Sequence, residues 1–338
     1  MASTPTNQET ATVVSATPEE QRTPISLGRE SGGILVLLIF IAGLILTTND
    51  FLTLTNLDNL VRQVAVFAIL SVGQLFVILT GGIDLSVGSV LGLSGGVTAL
   101  LLSAGVPIPV AVLVGLIVGL VVGLINGLIV SRMGLPPFIA TLGMLGIARG
   151  IVLLLTGART IAPMPDSFTV IANGFILGLP SLFWILIIVA VVAAFILGRT
   201  IFGRYVYAVG SNAESSRLSG VPVNYVLLAV YSISGLLAGF AGVLTTSRLG
   251  AGIPTAGTGY ELQAIAGAVI GGASLSGAKG RIIGAVLGAL IMAILANGGN
   301  LLGIDPFYLQ IAIGLLIILA VYFDHLQGNS MNLMRRAA

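Results

Sequence analysis

The sequence contains no cysteine, a single histidine and a single tryptophan. Without thiols there is no disulfide, no zinc–thiolate site and no thiol nucleophile. The lone histidine, His325, falls in the C-terminal tail, which excludes a His-centred catalytic constellation inside the apolar body. Charge is scarce as well. Asp, Glu, Lys and Arg make up 8% of the 338 residues, against about 25% in a typical soluble domain. A water-soluble protein of this length needs far more polar surface to cover its core. The shortage excludes a soluble enzyme, and the apolar composition excludes a disordered chain. The net charge is +2, with no Lys/Arg cluster of the kind that binds nucleic acid.

What is plentiful points one way. Hydrophobic residues make up 56% and glycine contributes 46 positions. The mean hydropathy is +1.11. This is the composition of an integral membrane protein. Residues 1–31 are polar and rich in Thr, Ser, Glu and Pro, and read as a disordered cytoplasmic tail. They lack the basic region and small-residue cleavage site of a signal peptide, so the first apolar run reads as a retained helix.

A membrane span needs roughly 20 apolar residues. Ten stretches fit, near 32–48, 62–80, 86–105, 109–130, 136–156, 180–198, 223–247, 261–275, 281–298 and 307–323. Backbone groups in lipid must be satisfied internally, so these are helices. Continuous apolar runs are not the alternating pattern of a membrane β-barrel. The expected fold is therefore all-α and membrane-integral, with about ten transmembrane helices over 32–325 and a C-terminal tail over 326–338.

Arg and Lys in the short loops orient the chain. With both termini in the cytoplasm, the inner loops hold Arg132, Arg199, Arg204, Arg217, Lys279, Arg281, Arg335 and Arg336. The outer loops hold Arg62, Arg159 and Arg248, beside Asp50, Asp58, Asp166 and Asp305. The bias favours this orientation. The largest inner loop is then 199–222 and the largest outer one 157–179.

Gly115, Gly119, Gly123 and Gly127 recur every fourth residue, as do Gly235 and Gly239, and Gly284 and Gly288. That spacing puts each set on one helix face, where another backbone packs closely. No chemistry is assigned to them.

Chemistry, where it exists, concentrates in three places. In the inner loop, Ser211 and Glu214 have the S-x-x-E spacing of a capping box. Gly220 and Pro222 then close the helix. The expected result is a short cytoplasmic helix of Ser211, Asn212, Ala213, Glu214, Ser215, Ser216, Arg217, Leu218, Ser219 and Gly220. It is either a well-capped connector or a docking helix for a cytoplasmic partner.

The second place is Thr80–Ser89, where Asp84 follows a Gly pair between two spans. The third is Pro254–Leu262, where Glu261 follows another Gly/Pro interruption. Taken as two halves, helices 2–5 and 7–10, the chain breaks after the first helix of each half. The breaks then lie on opposite membrane sides, as an inverted repeat requires, and paired breaks of this kind mark a transport pathway.

Arg149 lies well inside a span. Arginine at that depth costs roughly 2.5–3.5 kcal/mol on insertion scales, so it must face protein or water. It is a pathway or gating charge, half of an ion pair locking two helices, or a side chain snorkelling toward the outer surface. Asp84 and Glu261 are likewise functional or structural, since a carboxylate also caps a helix N-terminus. Candidate pathway residues are Asp84, Ser86, Asn126, Thr141, Arg149, Glu261, Asn297 and Asn300.

No catalytic or metal site is expected. Gly272–Lys279 approaches a phosphate loop but has Ala278 where Lys is required, and no strand precedes it. Leu93-Ser94-Gly95-Gly96 sits inside an apolar run. Neither binds nucleotide, so the chain has no ATPase of its own.

The strings GGIDLSVGS (81–89), PPFIATLGM (136–144), GRYVYAVGSNAESSRLSGV (203–221), PTAGTGYEL (254–262) and GGASLSGAKGRIIG (271–284) resemble the permease subunit of bacterial ABC sugar importers, the ribose-type monosaccharide permeases in particular. The resemblance covers roughly 33–325, in matching order. It implies a type II importer in the bacterial inner membrane, with a monosaccharide, ribose first, as substrate. It also implies three kinds of protein partner: a cytoplasmic ATP-binding subunit on the 199–222 loop, a periplasmic or lipid-anchored sugar-binding protein, and a second permease copy, identical or paralogous. The 211–220 helix matches the coupling helix of such importers. ATP and Mg are bound by the partner ATPase, and this chain needs no cofactor. Besides protein partners it contacts membrane lipid and no nucleic acid. A stand-alone secondary transporter or channel for a small polar solute is the alternative; it usually shows more intramembrane ionisable groups. A membrane-embedded enzyme fits least, since nucleophile, base and metal ligands are lacking.

Overall fold

The computed structural model describes residues 41–305, 307–319 and 322. The expected N-terminal tail, most of the first expected span and the C-terminal tail lie outside the described residues. Helix follows helix. Residues 41–47 are helical, then come α1 (Leu54–Leu79), α2 (Val87–Ser103), α3 (Ile108–Arg132) and α4 (Pro137–Thr156). A short α5 (Asp166–Asn173) and a two-residue hairpin, β1 (Phe175–Ile176) and β2 (Leu179–Pro180), lead into α6 (Ser181–Arg199). Next are α7 (Ile201–Ser211), α8 (Ala213–Leu218), α9 (Val223–Leu249), α10 (Tyr260–Ile270), α11 (Ile282–Leu301) and α12 (Phe307–Leu319).

Local chemistry sets the boundaries. Thr53 caps α1 by accepting from the Asn56 N–H. Proline stands at the N-cap of α3, α4, α6 and α9, where its missing N–H costs nothing. Gly157 and Gly250 close α4 and α9 in left-handed conformation, at φ 60° and 62°.

Six helices, α1, α3, α4, α6, α9 and α11, are long and apolar enough to cross a membrane. Two expected spans come out shorter. The third is the 17-residue α2 and the eighth the 11-residue α10, about 17 Å at 1.5 Å per residue. Neither covers a hydrocarbon core of about 30 Å alone. For α10, glycine is the reason. The chain turns at Gly271 and Gly272, the latter at φ 93°, before the apolar run of the eighth span ends.

The centre is α1, 83% of whose apolar window is buried, with α9 beside it at 61%. The outer helices α3, α4 and α6 bury only 28% each and turn broad apolar faces outward. Helix α1 packs on α9, α10 and α11, and α9 packs on α1, α2 and α3. Helix α2 packs on α3 and α4; α10 packs on α11, and Ala266 of α10, Met292 of α11 and Ile313 of α12 share one buried apolar cluster. Exchanging α1–α4 with α9–α12 leaves this set of contacts unchanged.

The glycine faces meet as their spacing requires. A Cβ on Gly119 would lie 2.7 Å from Gly239 Cα, and one on Gly123 would lie 3.0 Å from Gly235 Cα. At the α10–α11 crossing, a Cβ on Gly288 would reach the Gly267 carbonyl carbon at 2.7 Å. Small residues replace side-chain thickness with backbone contact.

Connections gather into two groups at opposite helix ends. At one, the Ala278 N–H donates to Leu79 O (2.9 Å) and Tyr207 Oη donates to Gly280 O (2.9 Å). At the other, Arg62 donates to Asn173 O (3.3 Å), Asn173 to Arg248 O (3.1 Å), and Ile161 pairs with Gly252.

Candidate functional site

The Thr80–Ser86 connection does not simply link α1 to α2. Gly81, at φ 79°, turns the chain, and residues 82–86 fold back along α1. The Gln74 side-chain amide, oriented to satisfy both groups, accepts from Asp84 N (3.1 Å) and donates to Asp84 O (3.1 Å). Gly82 fits beneath Tyr231, whose hydroxyl would be 2.5 Å from a Cβ there.

Asp84 is 1% exposed. Its Oδ1 accepts from the Ser86 N–H (2.9 Å) and the Ser86 hydroxyl (2.6 Å), and its Oδ2 from Ser234 Oγ (2.9 Å). Asn126 Nδ2 in turn donates to Ser86 Oγ (2.9 Å). Thr141 Oγ1 accepts from Leu85 N (3.1 Å) and lies 3.1 Å from Ile83 O. So α1, α3, α4 and α9 each bring a polar group to one inner break. A buried carboxylate is tolerated only when it is hydrogen-bonded this thoroughly. Among the described residues, Asn126 Oδ1 and Tyr231 Oη are buried without a partner. Below them opens a pocket of about 290 Å³, bounded by Thr80–Gly82, Gly134–Pro137 and Tyr231.

The outer break is built differently. Residues 251–259 run from the end of α9 back across α2. Arg149 Nη1 donates to the carbonyls of Pro254 and Ala256, the latter at 3.1 Å. It passes over Gly92, where a Cβ would stand 3.0 Å from Nη1. The carboxylate of Glu261 accepts from Gly259 N (3.2 Å) and lies against Gly88, as does the Gly257 carbonyl. Gly257 itself abuts the Gly88 carbonyl. The two breaks therefore enter from opposite ends and meet where α2 and α10 begin. The Arg149 guanidinium is held by backbone carbonyls, with Glu261 in the same cluster.

Asn297 and Asn300 separate. Asn297 is buried in a reciprocal amide pair with Asn56: Asn297 donates to Asn56 Oδ1 (2.8 Å), and Asn56 to Asn297 Oδ1 (3.2 Å). The pair joins α11 to α1 far from Asp84 along the helix. Asn300 is exposed. Neither belongs to either break.

In the 199–222 segment the structure moves the cap. Ser211 ends α7, and Asn212 caps α8 by accepting from Ser215 N (2.8 Å). The capping-box expectation misplaced the boundary by one residue, because Asn212 takes the extended backbone a cap requires (φ −162°, ψ 106°). Glu214 pairs with Arg217 instead (3.0 Å). Gly220, at φ 85°, closes the turn, and Val221 N returns to Ser216 O (3.0 Å). Except for Ser216, residues 211–220 are exposed.

Helix α7, absent from the sequence reading, anchors this segment. Gly210 packs directly on Leu79 O and lies where a Cβ would be 2.7 Å from Ala278 N. Burial raises the Tyr207 phenol above its ordinary range, opposed by Arg281, and keeps it a donor to Gly280. The sequence reading also missed Gln74, Ser234, Tyr231 and Asn56. Gln74 carried a signal, a lone amide inside an apolar span; Ser234 carried none.

Comparison with known proteins completes the picture. Residues 56–321 match the family model described as branched-chain amino acid transport system / permease component. The chain is 44% identical over 303 residues to the ribose import permease protein RbsC of Haemophilus influenzae, covering 88% of this chain and 94% of that protein. It is 42% identical over 294 residues to the protein of the same name from Bacillus subtilis, covering 86% and 90%. It is 40% identical over 294 residues to the D-allose transport system permease protein AlsC of Escherichia coli, covering 87% and 90%. No solved structure matches significantly.

Proposed function

The chain belongs to the branched-chain amino acid transport system / permease component family, and on that ground we infer how it works. It is the permease subunit of an ABC sugar importer, a transport component and not an enzyme. One observation carries this: 44% identity to a ribose import permease along nearly the whole of both chains. Ribose is the proposed sugar, because relatives from two distant bacteria are both named for its import.

The finer assignments rest on the fold. The bacterial inner membrane is the proposed location, with the α7–α8 end and both termini in the cytoplasm. That orientation is supported by Arg132, Arg199, Arg204, Arg217, Lys279 and Arg281, which all fall at that end. The helices α1–α4 and α9–α12 form an inverted repeat, supported by a packing pattern that survives their exchange and by two breaks entering from opposite ends.

Residues 211–220 dock a cytoplasmic ATP-binding subunit, which binds the ATP and Mg that this chain has no motif to hold. Exposure of α8 and its rigid closure by Asn212 and Gly220 support that role. A push on α8 passes to α7 and, through Gly210, to Leu79 and Ala278 at the inner break. A second permease copy covers part of the outward apolar faces of α3, α4 and α6, lipid the rest. A periplasmic or lipid-anchored sugar-binding protein delivers substrate to the α5–hairpin end. Asp84, Ser86, Asn126 and Thr141 shape the inner break beside the pathway, and Arg149 and Glu261 the outer one.

The test is purification from the native membrane in mild detergent, with identification of every co-purifying protein. An ATPase recovered with the chain supports the reading, and reconstituted ATP-dependent ribose uptake completes it. A chain that is folded, reproducibly alone and competent for uptake without ATP overturns it.

A further inference from the structure

Helix α4 touches both breaks. Thr141 holds the inner one at Ile83 and Leu85, and Arg149 holds the outer one at Pro254 and Ala256. Eight residues apart, they are separated by about 12 Å along the helix axis and about 80° around it, so both still face the half of the helix that packs on the protein. The buried residues of α4, Ala140, Thr141, Met144, Ala148, Val152 and Thr156, form a stripe along that side. The opposite side is exposed, and Gly143, Gly146 and Gly150 have nothing within 4 Å of a Cβ position. So α4 is fixed to the protein along one stripe, with the Thr141 clamp on that stripe and the Arg149 clamp at its edge.

The breaks also touch each other. Gly88, at the start of α2, and Gly257, just before α10, pack backbone on backbone. Displacing the inner break by the width of a side chain drives Gly88 into Gly257 unless the outer break moves too. Close-packed elements of this kind shift between discrete arrangements rather than deforming gradually.

We propose that α4 is a strut linking the two breaks, with Thr141 and Arg149 as positioning residues that make the outer break follow the inner one. Neither residue needs to touch sugar. The clamps differ for a reason. Thr141 bonds a short turn at helix distance, whereas Arg149 reaches across α2 and bonds two carbonyls at once. Gly92 leaves the room for that reach. The idea rests on the transport reading above, since it concerns how motion started at α8 reaches the far side.

The chain has no cysteine, so a single introduced thiol reports one position. Thr258 is exposed on the outer break. In the complex purified with its ATPase, Thr258→Cys is labelled with a membrane-impermeant maleimide, with and without ATP. A second protein carries Thr80→Cys as the inner reporter. ATP is expected to change the labelling rate at both positions. Adding Arg149→Ala is expected to reduce the ATP effect at 258 by about fivefold or more, the scale of an ordinary coupling between sites, while the effect at 80 persists. Arg149→Lys, which can reach one carbonyl, is expected to restore part of it.

If the ATP effect at 258 is unchanged in Arg149→Ala, the strut is overturned. If Arg149→Ala loses the ATPase or the effect at 80 as well, Arg149 is a folding residue and the proposal fails. If the parent shows no ATP effect at either position, the transport reading fails first, and that outcome is distinct from the others.

Discussion

The Ser234 hydroxyl donates to Asp84 Oδ2 over 2.9 Å, joining positions 150 residues apart. It ties α9 to the inner break and satisfies one oxygen of a carboxylate that is out of reach of water. Removing one partner of a buried hydrogen bond leaves the other unsatisfied, at a cost of about 1–3 kcal/mol. Ser234→Ala is therefore expected to lower thermal stability measurably in detergent. Asp84→Asn, which keeps the shape and one acceptor, is expected to be milder than Asp84→Ala. Equal melting temperatures for Asp84→Asn and Asp84→Ala would contradict the network.

The α3–α9 crossing depends on absent side chains. Gly123→Val forces a branched chain against Gly235 Cα and Tyr231 O. Overpacking of this kind costs about 1–3 kcal/mol. A Cβ at Gly146, on the open side of α4, meets nothing within 4 Å, so Gly146→Val is expected to stay within about 0.5 kcal/mol of the parent. Comparing the two in thermal unfolding separates packing glycines from incidental ones.

Asn56 and Asn297 satisfy each other's amides. Either single alanine leaves a buried amide short of a partner, so the double alanine is expected to cost less than the sum. A coupling of about 0.5–3 kcal/mol in a double-mutant cycle is the expected reading. Strict additivity would show that the pair contributes nothing as a pair.

Glu214 and Arg217 form an exposed ion pair on α8, with side chains 68% and 59% accessible. Pairs this exposed contribute little to stability. Replacing both by Ala is expected to leave the melting temperature unchanged while reducing ATPase co-purification and ATP-dependent uptake. Normal uptake with an unchanged melting temperature would remove α8 from the docking surface.

Much of this molecule was readable without coordinates. The membrane class, the long spans and the glycine faces follow from length, composition and spacing, because burial in lipid is non-directional and sums over neighbouring residues. The two breaks were readable for the same local reason, since Gly81 and Gly82 and the Pro254–Gly259 run cannot continue a helix. The 211–220 segment was located, but its cap was not. Ser211, Asn212 and Ser215 are all capable of local caps, and only the backbone angle at Asn212 selects one.

What the tertiary structure alone decided is who meets whom. Nothing local distinguishes Ser234, which reaches Asp84, from Ser232, which bonds its own helix at Leu228. Nothing near Arg149 announces that carbonyls more than a hundred residues away will hold it. Nothing near Asn297 in the sequence announces that Asn56, on another helix, will hold its amide. Hydrogen bonds are short and directional, so their partners depend on the packing of whole helices. The sequence by itself determined that the chain crosses a membrane and where it breaks; only the packing decided that both breaks converge beside α2 and rest on α4.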